Sequence, residues 1–243
     1  MKSVQLIALD VGGVIYFDEP FELAWIHQVF ARARTADPSF TASSLIRDMK
    51  VFYAAPASHH RAGTVFSRPL ARQSWLETRA LWSELVQPIP GAVDAVRQLA
   101  GRYDLCVVAN QPPECAAALG QIHLGDAFKL VALDSTVGYA KPDPRLLGWA
   151  LDKLRASPAQ TLVVGNRWDH DIEPAGALGC LTTLIRPSHG WDAPSGCDQK
   201  IVEAYRELRS QVISRNVNGN AAPVAAGLGE VATTLSQVLD RRT

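Results

Sequence analysis

Five short apolar runs, spaced between helical stretches, constrain the fold of this chain more than any other feature. Val4–Leu9, Leu105–Ala109, Leu130–Leu133, Leu162–Gly165 and Leu181–Ile185 are brief, rich in Val, Ile or Leu, and bounded by turn residues. Their nearly continuous apolar character predicts strands covered on both faces. Helical patterns lie between them at Ala92–Ala100, Pro113–Gln121, Pro144–Arg155 and Ile172–Leu178. Strand alternating with helix predicts a parallel sheet with right-handed crossovers. The expected class is therefore α/β, with a three-layer, Rossmann-like parallel-sheet core.

One interval lacks this rhythm. About seventy residues between the first strand and Pro88-Ile89-Pro90-Gly91 contain no convincing strand, whereas an ordinary βα connection has about 2–6 residues. Helical patterns recur there at Phe21–Arg34, Ser43–Tyr53 and Pro69–Val86, separated by Asp37-Pro38 and by the looser stretch Pro56–Gly63. The reading is a helical cap over residues 16–87, inserted into a core made of residues 1–15 and 88–243. Farther on, Gln199–Ser214 predicts an amphipathic helix, 216–220 a loop and Gly229–Leu239 a final helix.

The 243 residues suffice to bury a full core with a smaller domain attached. Lys+Arg and Asp+Glu both count 24, so no global field draws in nucleic acid or an anionic membrane. The four cysteines show no CxxC pairing, and Cys106 and Cys180 lie in or beside apolar runs, which predicts buried thiols rather than a disulfide or zinc framework. The opening segment, Met1–Asp10, is too briefly apolar for a signal peptide, and no run approaches the ~20 apolar residues of a membrane span. The expectation is a soluble cytoplasmic protein, monomer or homodimer.

In open parallel sheets, ligands collect beyond the carboxyl ends of the strands. Polar groups fall at several such ends. Asp10 follows the first strand and precedes Gly12-Gly13, where the backbone turns tightly and approaches a ligand closely. Asn110 ends the second run, Lys141 lies in Gly138-Tyr139-Ala140-Lys141-Pro142-Asp143, and Asn166, Asp169 and Asp171 follow Gly165. No GxGxxG follows the first strand, which argues against a dinucleotide site.

In order and spacing, Asp10-Val11-Gly12-Gly13-Val14, Asn110, Lys141-Pro142-Asp143 and Gly165-Asn166-x4-Asp171 resemble the four motifs of the haloacid dehalogenase superfamily. The resemblance covers residues 4 to 186. It implies that Asp10 is a nucleophile forming an aspartyl-phosphate, a role a carboxylate can fill. It implies Mg2+ held by Asp10, the Gly12 carbonyl, Asn166 and Asp171, a set of hard oxygen donors. Lys141 would balance charge between nucleophile and phosphoryl group. Asn110, with Gly12 and Gly13, would contact the substrate.

The sequence departs from that pattern at three places. Most phosphatases of the superfamily carry a second aspartate two positions after the nucleophile, as general acid and base; here that residue is Gly12. The hydroxyl of the second motif is replaced by Asn110, and the first acid of the fourth motif by Asn166, which the neighbouring Asp169 is suited to offset. The leading reading is a magnesium-dependent phosphatase acting on a small phosphorylated metabolite, with no nucleic-acid or membrane partner. A dehalogenase or other carbon–X hydrolase and a catalytically silent binding protein stay open beside it.

Several residues have structural readings as well. Asp10 suits a turn before Gly-Gly and Asp171 a helix N-cap. His170 reads as surface or structural, as do His59-His60-Arg61, Arg68, Arg72 and Arg79 of the expected cap. Phe21, Trp25, Trp75 and Trp82 recur at helix-face spacings and read as cap core.

Overall fold

In the computed structural model, residues 3–54, 63–186, 190–215 and 223–240 are described. The expected loops at 56–62 and 216–220, and with them His59, His60 and Arg61, lie outside these residues.

The five apolar runs form β1 (Leu6–Leu9), β4 (Asp104–Ala109), β5 (Leu130–Leu133), β6 (Thr161–Gly165) and β7 (Leu181–Ile185). A short edge strand, β8 (Val224–Ala225), completes a six-stranded sheet in the order β5-β4-β1-β6-β7-β8. Every pairing in it is parallel, and β1 sits between β4 and β6. Both neighbours of β1 supply hydrogen bonds, and both faces are covered, so its side chains are wholly apolar. On one face, Leu6, Ala8, Cys106, Val108 and Val163 pack against Leu146, Leu147, Ala150 and Leu151 of the helix Arg145–Leu154. Alternation sends Ile7, Leu9 and Val107 to the other face, where the helix Ala92–Ala100 meets β4 and the last helix, Leu228–Asp240.

A second, two-stranded antiparallel ribbon joins β2 (Tyr16–Phe17) to β3 (Gln87–Pro88). These are the points where the chain leaves and re-enters the core, and Ile89 N donating to Ile15 O at 2.9 Å extends the clasp.

The chain divides into two compact units, one of residues 1–18, 86–190 and 218–243, the other of residues 19–85 and 191–217. The helical unit contains Glu19–Ala36, Ala42–Ala54, Pro69–Arg79, Trp82–Leu85 and Gln199–Arg215. The expected assignment of the whole of 88–243 to the core is thus corrected over 191–217. The cause is packing: Ile201, Val202, Tyr205 and Leu208 are buried in one cluster with Trp25, Val29, Leu45, Met49 and Phe66. Tyr205 Oη donates to Glu22 Oε2 at 2.5 Å, and Arg209 Nη2 pairs with Glu19 Oε1 at 3.1 Å. Of the expected core aromatics, Phe21, Trp25 and Trp82 are buried and Trp75 is half-buried, with Phe21 centred 4.1 Å from Trp82 and Trp25 perpendicular to Trp75 at 5.3 Å.

Candidate active site

Asp10 stands one residue beyond β1, where its N donates to Val164 O at 2.9 Å and so continues the parallel ladder past the strand end. Its carboxylate Oδ1 lies 2.9 Å from Lys141 Nζ, and the same ammonium lies 2.5 Å from Asp171 Oδ1. The side chains of Lys141, Asp10 and Asp171 are only 9%, 12% and 2% exposed, so the three charges interact with little screening. Residues 10, 141 and 171, far apart in sequence, are therefore brought together at the carboxyl end of the sheet.

The ionisation of this group follows from burial and mutual charge. Burial pushes Asp10 up to about 6; Lys141 opposes that shift and the like charge of Asp171 adds to it. Burial alone would lower Lys141, but Asp10 and Asp171 outweigh it and hold the ammonium above its ordinary value. Lys141 is thus a fixed cation at neutral pH, and its charge favours the ionised form of Asp10.

Each member has a local support. Asn110 Nδ2 donates to Lys141 O at 2.8 Å and Asn110 Oδ1 accepts from Lys141 N at 2.7 Å. The residue expected to meet the substrate thus grips the main chain that carries the lysine. Asp171 Oδ2 accepts from Arg167 N at 2.9 Å. A wide turn over Trp168–Ile172 brings Asp171 back under β6, and the short helix Glu173–Ala177 continues from it, with Pro174 in its first turn. A Cβ at Gly165 would collide with the Asp171 side chain, so the strand must end on glycine for the carboxylate to tuck in.

Gly12 and Gly13 have separate reasons to be glycine. Gly13 has φ +72°, and a side chain there would strike the Asn166 amide. Gly12 is crowded instead by Asp18, whose Oδ2 lies 2.6 Å from the place a Cβ would occupy, and by Gln111 Nε2 at 3.1 Å. Neither Asp18 nor Gln111 is signalled by sequence spacing, although Gln111 directly follows Asn110. Asp169, suggested above as an extra acid for a metal, turns to Arg167 instead, accepting from Nε at 3.2 Å and Nη2 at 2.9 Å. His170 Nδ1 is 2.9 Å from Asp169 Oδ2 but off hydrogen-bond geometry. Burial, then Arg167, holds its pKa below the ordinary value.

Among the described residues no three His, Cys, Asp or Glu side chains gather as a metal cluster. The residues that would hold a metal ion are the carboxylates Asp10 and Asp171, together with Asn166, whose amide lies against Gly13. That set fits a hard divalent cation that keeps several waters, since such ions take one or two carboxylates and added positive charge relieves the repulsion between Asp10 and Asp171. The four cysteines are free thiols; burial pushes Cys106 and Cys115 up to about 12, which leaves both unreactive. No helix among the described residues is long and apolar enough to cross a membrane. Within the helical unit, a cavity of about 810 Å³ is lined by Glu22, Trp25, Phe66, Arg68, Arg72 and Trp75, among others.

The chain is similar to known proteins in sequence and in fold. A family model described as haloacid dehalogenase-like hydrolase matches residues 4–179. The pyrimidine 5'-nucleotidase YjjG of Escherichia coli is 28% identical over 120 residues, 47% of this chain and 51% of that one. A phosphoglycolate phosphatase of Aliivibrio fischeri is 34% identical over 93 residues, 38% of this chain and 40% of its own length. The chain thus spans about half the length, or less, of these curated relatives. Among solved structures, the HAD-hydrolase YfnB of Bacillus subtilis, described with magnesium bound, superposes with a TM-score of 0.70 at 17% identity, covering 96% of this chain and 99% of that one. With the family model spanning most of its length, this chain belongs to the haloacid dehalogenase-like hydrolases.

Proposed function

We propose that the protein is a magnesium-dependent phosphomonoesterase that acts on a small phosphorylated metabolite through an aspartyl-phosphate on Asp10. The observation that carries this reading is the buried Asp10–Lys141–Asp171 group, in which one ammonium contacts both carboxylates at the end of β1. Asp10, in its ionised form, attacks phosphorus. Lys141 keeps the nucleophile ionised and places positive charge beside the phosphoryl oxygens as negative charge redistributes. Asn110 fixes the Lys141 main chain and has a second N–H left for a phosphate oxygen. Water then attacks the phosphorus of the acyl phosphate and regenerates Asp10.

Asp10, Asp171, Asn166 and the Gly12 carbonyl would hold the magnesium ion. When bound, the ion supplies positive charge that stabilises the phosphoryl oxygens and relieves the crowding of carboxylates. A relative named as a phosphoglycolate phosphatase, another named as a pyrimidine 5'-nucleotidase, and a similar fold described with magnesium support the assignment. The helical unit would select the substrate.

Gly12 favours a second reading, hydrolysis of a carbon–halogen bond, because halide leaves without a proton. Release of p-nitrophenol from p-nitrophenyl phosphate, with and without magnesium, in wild type and Asp10→Asn, separates the readings. Magnesium-dependent turnover that falls at least ~10³-fold in Asp10→Asn is expected. Halide release from 2-chloropropionate without metal would favour the second reading. No turnover across a broad phosphate panel would leave a binding protein.

A further inference from the structure

The space above Gly12 is filled from elsewhere in the chain. Asp18 follows β2 and sets Oδ2 2.6 Å from the place a residue-12 Cβ would stand. Gln111 Nε2 donates to that oxygen at 3.0 Å. Gln111 is itself fixed at both main-chain groups, its N donating to Asp134 Oδ1 at 2.8 Å and its O accepting from Ser135 Oγ at 2.7 Å. With only 7% of its surface exposed, it is a rigid buried post. A carboxyl group is thereby held beside the residue two positions beyond Asp10. Cleavage of an ester with a basic leaving group needs a proton at the departing oxygen, and a positioned acid contributes ~10²–10⁴-fold to that step.

We propose that Asp18 is this acid, the role having moved from position 12 to position 18, with Gln111 as its positioning residue. The proposal rests on the phosphomonoesterase reading. In the first half-reaction an Asp10 oxygen bonds to phosphorus, the bond from phosphorus to the ester oxygen breaks with its electron pair, and that oxygen takes the Asp18 proton and leaves as an alcohol. In the second half, the Asp18 carboxylate takes a proton from water as the water oxygen attacks phosphorus. The bond between Asp10 and phosphorus breaks, and Asp18 returns to its starting protonation. Ester and water become alcohol and phosphate, with nothing left over.

Single-turnover release of leaving group from p-nitrophenyl, p-chlorophenyl and phenyl phosphate tests this, since the three differ in basicity far more than in shape. Asp18→Asn should slow release of phenol by ~10²-fold or more and that of p-nitrophenolate by less than about tenfold. Gln111→Ala should steepen the same series to a smaller degree, with KM little changed. The exchange of positions supplies a rescue. Gly12 is not in the left-handed region, and shortening Asp18 removes its nearest obstacle, so an aspartate there needs only the Gln111 amide, at 3.1 Å and released from Asp18, to shift slightly. Gly12→Asp with Asp18→Ala should regain at least tenfold over Asp18→Ala alone on phenyl phosphate. Equal loss across the three esters, no loss on any, or a double variant no better than Asp18→Ala overturns the proposal alone. A wild-type protein that releases none of the three with magnesium removes the phosphomonoesterase reading and the proposal together.

Discussion

Asp10 is pulled two ways, and the resultant is measurable without substrate. Burial and Asp171 favour its neutral form, Lys141 favours the charged one, and the outcome is a carboxyl raised from 3.8 to about 6. Because the folded value lies above the unfolded one, the stability it contributes is complete below about pH 4 and is lost as the pH rises through about 6. Asparagine at this position has no such dependence. Melts of chelator-treated wild type and Asp10→Asn should diverge between pH 4 and 7, the variant gaining on the order of 3 kcal/mol relative to wild type. Parallel curves would show that the carboxyl is not held in the conflict described. Asp10 was legible because it directly follows a buried strand, whereas Lys141 and Asp171 lie farther along the segments after β5 and β6 and were legible only from the order and spacing of the motifs. What Asn110 bonds to was not legible, since a partner 31 residues away leaves no trace in local spacing. Asp169 has its partner two residues away, but spacing alone does not say whether it turns to Arg167 or to the site.

At the level of elements, the site depends on how strands end. Gly165 closes β6, and Asp171 occupies the space its side chain would take. Gly165→Ala should therefore cost about 1–3 kcal/mol in denaturant unfolding, as overpacking does. It should also cut phosphatase turnover at least tenfold by displacing Asp171. Loss of stability with full turnover would mean that Asp171 has no part in the chemistry. The doubly buried strands were readable for the reason they are stable: each needs apolar residues on both faces. The pairings Tyr16–Phe17 with Gln87–Pro88, and Val224–Ala225 with β7, are two residues long and carry no periodicity to read. The wide turn at Trp168–Ile172 was likewise hidden, because the same residues suit an ordinary helix start.

For the molecule as a whole, the helical unit is assembled from two stretches of chain, 19–85 and 191–217. The sequence showed an amphipathic helix at Gln199–Ser214 but not its partner, since a hydrophobic stripe fits any apolar surface. Ile201 is fully buried among residues of the earlier stretch. Ile201→Ala should cost about 2–5 kcal/mol and speed hydrogen exchange in both Ala42–Ala54 and Gln199–Ser210. Acceleration confined to the later helix would show that the two do not form one cooperative unit. The pairing of Tyr205 with Glu22 spans 183 residues. On the ribosome, at ~5–20 residues per second, the helix Glu19–Ala36 waits roughly 10–40 s for the chain that completes its cover. The face of Ala42–Ala54 against which Gln199–Arg215 packs is open through most of that interval, so the nascent polypeptide, more than the finished protein, is the form that calls for a chaperone.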